Sequence, residues 1–151
     1  MKILAVDDDP DFMAVFRTVL EGLGYSDLVT ATSGLEALDL IAKSAAGFDC
    51  VILDVQMPEM DGIELSRQIR AIDIYKDTPI IMNTAVADRD YIDAAFAAGA
   101  TDYLTKPVDE VEVKARLGVI EKLVTERLRS QIALSHPGTD VFNAPSYGFL
   151  D

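Results

Sequence analysis

Short apolar runs punctuate the chain at Ile3 to Val6, Leu28 to Ala31, Cys50 to Leu53, Ile80 to Met82 and Tyr103 to Leu104, and the segments between them repeat their hydrophobic positions at helical spacing. The first such segment sets Phe12, Val15, Phe16, Val19, Leu20 and Leu23 on one apolar helix face, with Gly24 behind it as a C-cap. Its start is equally legible: Asp9 can accept the orphan N–H groups of a helix N-terminus, Pro10 suits the first helical position, and Asp11 faces the positive end of the helix dipole. Leu35, Leu38, Ile41 and Ala42 predict a second helix, Ile63 to Ile72 a third, and Tyr91 to Ala98 a fourth that stops near Gly99. From Val108 a last helix carries Val113, Leu117, Ile120, Val124, Leu128 and Ile132, which runs roughly two turns further than covering a sheet requires. Ser135, His136, Pro137 and Gly138 then break the pattern, and a tail with scattered Phe142, Tyr147 and Phe149 follows. The expected organisation is one domain over residues 1–124, a helical extension over 125–134 and a tail over 135–151.

Strands that are apolar on both faces, each followed by a helix, call for a parallel sheet covered on both sides by right-handed crossovers. The expectation is therefore an α/β protein: a flavodoxin-like (βα)5 three-layer sandwich with strand order 2-1-3-4-5 and an extended C-terminal helix. In such open sheets the crevice that binds ligands lies beyond the carboxyl ends of the strands, where strand order reverses. Those ends carry Asp7 and Asp8, Asp54, Thr84, and Thr105 to Pro107.

Composition narrows the functions open to such a domain. Among 151 residues, 26 acids against 13 bases give a formal charge of −13, which repels nucleic acid and anionic membrane surfaces. A single cysteine, Cys50, excludes an internal disulfide and reads as a small buried hydrophobe. With no signal-peptide pattern and no long apolar run, a cytoplasmic protein is expected.

Carboxylates gathered from separate strand ends would repel one another and raise their own pKa values unless a cation sat between them. Mg²⁺ is the leading candidate, a hard ion that takes oxygen ligands and keeps waters or phosphate oxygens in its remaining positions; clustered acids would accept Ca²⁺ or Mn²⁺ as well. Asp-rich segments ahead of helices also serve as caps and turns, so Asp7, Asp8 and Asp9 have a purely structural reading beside the metal one. The Thr84 hydroxyl and the Lys106 ammonium could hold two oxygens of a bound phosphoryl group. Lys106 precedes Pro107, where a cis bond would turn the chain sharply and aim the lysine inward, although trans is the commoner form.

Taken together, KILAVDDDPDF, VILDVQMPEMDG, IIMNTA and AGATDYLTKP, in that order and separation, resemble the receiver domain of two-component response regulators over Lys2 to about Val124. The resemblance implies that Asp54 is the nucleophile that accepts a phosphoryl group from a sensor histidine kinase or phosphotransfer protein. It further implies that Asp7, Asp8, Asp54 and the backbone carbonyl of Gln56 hold Mg²⁺, that Thr84 and Lys106 bind the phosphoryl oxygens, and that Tyr103 is an aromatic switch that follows Thr84. Asp9 keeps its role as helix cap. Gln56 and Val86 fall where side-chain identity tunes phosphoryl lifetime in that family.

The implied chemistry is Mg-dependent self-phosphorylation and autodephosphorylation rather than turnover of a substrate, with a surface made by helix four, strand five and helix five as the output. The long last helix, or that same surface, would pair two copies in a homodimer or lead into an output domain, so the chain is either a stand-alone receiver or the first part of a longer protein. Two rivals fit less well. An aspartyl-phosphate phosphohydrolase would need a second acid two residues after its nucleophile, where Gln56 cannot shuttle a proton. A flavin-binding relative would need a phosphate-cradling loop after the first strand, where this chain has three acids. His136, beside Pro137 in a breaker segment, reads as a coil residue, and the Ile72 to Thr78 segment, IDIYKDT, is long for the connection it makes.

Overall fold

The computed structural model describes residues 1–85 and 89–135; Val86 and the tail from His136, with its Pro137, Gly138, Phe142, Tyr147 and Phe149, lie outside the described residues. Strand and helix alternate as β1 (Ile3–Val6), α1 (Pro10–Gly22), β2 (Leu28–Ala31), α2 (Gly34–Lys43), β3 (Cys50–Asp54), α3 (Gly62–Arg70), β4 (Ile80–Thr84), α4 (Arg89–Ala97), β5 (Asp102–Thr105) and α5 (Glu110–Ser135). All strand pairs are parallel and the order is β2-β1-β3-β4-β5, the order expected from the sequence. The described residues divide into two units, Met1–Gly118 and a second that begins at Val119; the first holds the whole sheet, α1 to α4 and the opening turns of α5.

The three central strands, β1, β3 and β4, are buried on both faces, as the inner strands of a parallel sheet commonly are. Leu4, Val6, Val51, Leu53, Ile80 and Met82 share a core with Ala37 and Ile41 of α2, Leu65 and Ile69 of α3, and Ala95 of α4. The alternate positions Ile3, Ala5, Ile52 and Ile81 point the other way and are equally buried, as are Phe16 and Leu20 of α1 and Val113 and Leu117 of α5. Val15, read as part of the α1 apolar face, is exposed; it sits about 100° round the helix from Phe16, outside the arc that meets the sheet. Leu35 of α2 is exposed for the same kind of reason, since Ala37 and Ile41 define the buried side.

The helix ends follow their caps. The Asp9 side chain accepts the N–H groups of Asp11 and Phe12 with Pro10 in the first turn, and Gly24, just past α1, adopts a φ of +96°. Asp109 accepts from Val111 and Glu112, so α5 starts at Glu110 rather than Val108. α3 stops at Arg70, two residues short of the predicted end, because Ile72 is extended and a 3-10 turn over Asp73–Tyr75 follows. Ile72 still packs on the core, which is why the apolar spacing ran through it. That turn gives IDIYKDT its role: Tyr75 is buried and its hydroxyl accepts the Phe48 N–H at 3.0 Å. Cys50 is buried, with its thiol pushed up to about 12 chiefly by that burial. Among the described residues no helix is long and apolar enough to cross a membrane.

Candidate functional site

The parallel register places the ends of β1, β3, β4 and β5 side by side, and with them the side chains singled out above. Asp7 follows β1 directly, 2% exposed; its Oδ1 accepts the Asp9 N–H at 2.9 Å, while its own N–H donates to the Ala31 carbonyl at 3.1 Å. Asp54 is the last residue of β3, 6% exposed, and its Oδ1 accepts the Gln56 N–H at 3.4 Å. Asp8 is exposed. Asp7, Asp8 and Asp54 each offer a carboxylate oxygen, and these oxygens lie within 4.8 Å of one another.

The opposing charge comes from the end of β5. The Lys106 N–H donates to the Thr84 carbonyl at 2.8 Å, and the Lys106–Pro107 bond is cis. The ammonium donates to Asp7 Oδ2 at 2.8 Å and lies 3.3 Å from Asp54 Oδ1. Thr105 reinforces this end of the sheet, its N–H and its hydroxyl both donating to Glu112 Oε1 at 3.0 Å.

Electrostatics at Asp54 are a contest between these neighbours. Burial and the Asp7 charge raise its carboxyl to about 6, against the lowering pull of the Lys106 charge and hydrogen bond and of the Gln56 N–H. Burial alone would lower the Lys106 ammonium; its hydrogen bond to Asp7 and the charges of Asp54 and Asp7 prevail and hold it above its ordinary value. Asp54 thus keeps a carboxyl raised to about 6 beside two further acids, and this all-oxygen donor set suits a hard ion such as Mg²⁺.

Thr84, the last residue of β4, is buried, and it borders a mostly apolar cleft together with Val55, Tyr91, Phe96 and Tyr103. The Tyr103 ring stands edge-on to Phe96 with centroids 6.4 Å apart, and the Arg116 guanidinium lies 5.4 Å from its centroid, itself tied to Asp102 at 3.1 Å. Asp7, Asp54 and Lys106 are thus in mutual contact with Asp8 beside them; Tyr103 joins Thr84 at the cleft and not in the acid cluster. Val86 lies outside the described residues.

Two residues of this site were not read as site residues from the sequence, although Phe12 was placed on the apolar face of α1. Gly62 opens α3 with its N–H donating to the Val55 carbonyl at 2.9 Å, and a Cβ on it would stand 2.1 Å from the Asp54 carbonyl oxygen. The glycine that closes the VILDVQMPEMDG run was the available signal. Phe12 places its ring centroid 4.3 Å from the Lys106 ammonium, a contact between residues 94 positions apart by their numbers that no local pattern announces.

Comparison with known proteins identifies the family and fold to which the chain is similar. The family model of the response regulator receiver domain matches residues 3–118. The chemotaxis protein CheY homolog of Campylobacter jejuni is 37% identical over 117 residues, 78% of this chain and 89% of that protein. Among solved structures, Vibrio cholerae chemotaxis protein CheY4 superposes with a TM-score of 0.73 at 35% identity, covering 79% of this chain and 97% of that one. The receiver domain of the sensor histidine kinase PA1611 from Pseudomonas aeruginosa, solved with magnesium coordinated in its active-site cleft, gives 0.70 at 28% identity, covering 82% and 97%.

Proposed function

Because this chain belongs to the response regulator receiver domain family, we propose that its Asp54 is the phosphoacceptor, charged by a sensor histidine kinase or phosphotransfer protein and capable of Mg-dependent self-phosphorylation from small acyl phosphates. The observation that carries the assignment is the Lys106 ammonium lodged between Asp7 and Asp54 at 2.8 and 3.3 Å, beside three converging carboxylates. A carboxylate oxygen of Asp54 attacks the phosphorus of a phosphohistidine, the P–N bond breaks, and the imidazole leaves. Such a transfer is largely dissociative and asks for alignment and charge neutralisation more than for covalent help. Asp7, Asp8, Asp54 and the Gln56 carbonyl would hold Mg²⁺, which supplies positive charge to the equatorial phosphoryl oxygens. Lys106 supplies the second cation, and the Thr84 hydroxyl donates to another oxygen.

Phosphorylation replaces the single charge of Asp54 with a dianion. Lys106 then turns from Asp7 toward it, and Thr84 withdraws from the cleft it shares with Tyr91 and Tyr103. Tyr103 follows, which changes the α4-β5-α5 surface seen by an output partner or domain. The receiver proper extends to about Val124, with residues 125–134 and the tail from 135 appended, and it works in the cytoplasm without binding nucleic acid. Exposed Val119 and Leu123, and exposed Leu128 and Ile132, form pairs spaced i, i+4 on the later part of α5 and support a homodimer through that helix or the α4-β5-α5 face. Mass in solution with and without beryllofluoride tests the dimer; a monomer in both conditions removes it.

Intact mass after incubation with acetyl phosphate and Mg²⁺ tests the central reading. One phosphoryl adduct, absent in Asp54→Asn and in a metal-free control, is expected. An adduct that persists in Asp54→Asn rejects the assignment.

A further inference from the structure

We infer that Phe12 is a positioning residue for phosphoryl transfer, its ring face keeping the Lys106 ammonium over the crevice between Asp7 and Asp54. The inference rests on the reading of Asp54 as phosphoacceptor.

Three groups hold that ammonium: Asp7 Oδ2 at 2.8 Å, Asp54 Oδ1 at 3.3 Å and the Phe12 ring at 4.3 Å from its centroid. The ring distance is well inside the range in which the electron-rich face of an aromatic attracts a cation. The ring is itself held in place. The Phe12 N–H donates to the Asp9 cap at 3.2 Å, and the ring stacks on Phe16 one turn later, with centroids 5.5 Å apart and planes 23° off parallel. Phe16 is buried, whereas Phe12 stays partly exposed, so filling the core does not by itself call for an aromatic there.

Charge decides why a ring suits this position. Asp7 and Asp54 hold the ammonium with negative charges that repel an incoming phosphoryl group. The ring face offers attraction without a net charge and without a lone pair to satisfy, so it repels the phosphoryl oxygens far less than a carboxylate would and uses up none of the N–H groups they need. The ring also shields one side of a flexible four-carbon stem whose side chain is 19% exposed, which reduces what must be ordered when the phosphoryl group arrives.

The test is the affinity for beryllofluoride in the presence of Mg²⁺, by calorimetry or fluorine NMR, on the full chain and three variants. Phe12→Leu keeps apolar bulk and loses the ring; it should bind about three- to tenfold more weakly. Phe12→Tyr keeps the ring and should return to within about twofold of the parent. Pentafluorophenylalanine at position 12 preserves shape and inverts the ring's charge distribution; it should bind as weakly as Phe12→Leu with an unchanged thermal midpoint. Parent-like affinity in the pentafluoro variant overturns the inference even where Phe12→Leu folds poorly, because shape alone would then be sufficient. Absence of beryllofluoride binding by the parent overturns the phosphoacceptor reading, and this inference with it; binding by the parent that the ring variants leave unchanged overturns this inference alone.

Discussion

Asp54 carries the reaction proposed here, and it is also a residue that the folded state makes uncomfortable. Its folded carboxyl, raised to about 6, lies above the ordinary value near 4, so the native state binds more protons than the unfolded state between those limits. Stability contributed at this position therefore falls as pH rises from about 4 to about 6 and stays low above that. Metal-free Asp54→Asn should then be more stable than the parent at pH 7.5 by on the order of 1 kcal/mol after allowance for screening, with the difference closing near pH 4. Urea unfolding of both proteins at the two pH values measures it; an equal gap at both would show that charge is not the cause. Gly62 works by proximity instead. A methyl group there would press on the Asp54 and Val55 backbones, which cannot rotate aside as a side chain would. Gly62→Ala should lose about 2 kcal/mol or more and weaken beryllofluoride uptake, whereas Gly22→Ala, whose Cβ would meet nothing within 4 Å, should be neutral or mildly stabilising.

Between elements, the end of α3 is tied down by a single arginine. Arg70 donates from Nε and one terminal nitrogen to the Gly99 carbonyl at 3.0 and 2.7 Å, and from the other to the carbonyls of Tyr75 and Thr78 at 2.7 and 2.6 Å. The buried Ser66 hydroxyl adds a bond to the Ala98 carbonyl at 2.9 Å, so the C-terminal end of α4 is fastened to α3 at two adjacent carbonyls. The other end of α4 reaches Thr84 through the cleft that Tyr91 and Ile92 line with it. Arg70→Met should cost about 2–3 kcal/mol, since part-buried hydrogen bonds from a charged donor are worth more than neutral ones. Arg67→Met, on the same helix but exposed and paired only with Glu64 among the described residues, should cost less than about 0.5 kcal/mol. Chemical denaturation distinguishes these; comparable losses would mean the carbonyl ties contribute little.

At the scale of the molecule, 26 acids and 13 bases leave a net charge of −13, and self-repulsion of that size works against the compact state. The thermal midpoint should rise as sodium chloride goes from about 10 mM to about 200 mM, because the screening length falls from roughly 30 Å to below 10 Å. A falling midpoint would show that attractive pairs such as Lys106 with Asp7 outweigh the general repulsion. Mg²⁺ should raise it further at constant ionic strength, and the increment should shrink in Asp54→Asn.

Much of this protein is written locally. Apolar runs with both faces buried specify parallel strands, and Asp9, Pro10 and Gly24 mark the ends of α1. The four strand-end segments bring Asp7, Asp54, Thr84 and Lys106 to attention before any geometry is known, because each follows a strand whose end must open on the crevice. What the sequence could not supply were contacts between distant segments. The helical spacing ran on to Ile72 because that side chain packs on the core, yet Arg70 turns away to bind carbonyls from two other segments and the helix stops there. The pairing of Lys106 with Asp7, separated by 99 positions, and the ring of Phe12 against the same ammonium depend on β1 and β5 opening on one crevice. Periodicity reports which side of an element is apolar; only the assembled sheet decides which polar groups that arrangement brings within a bond's length.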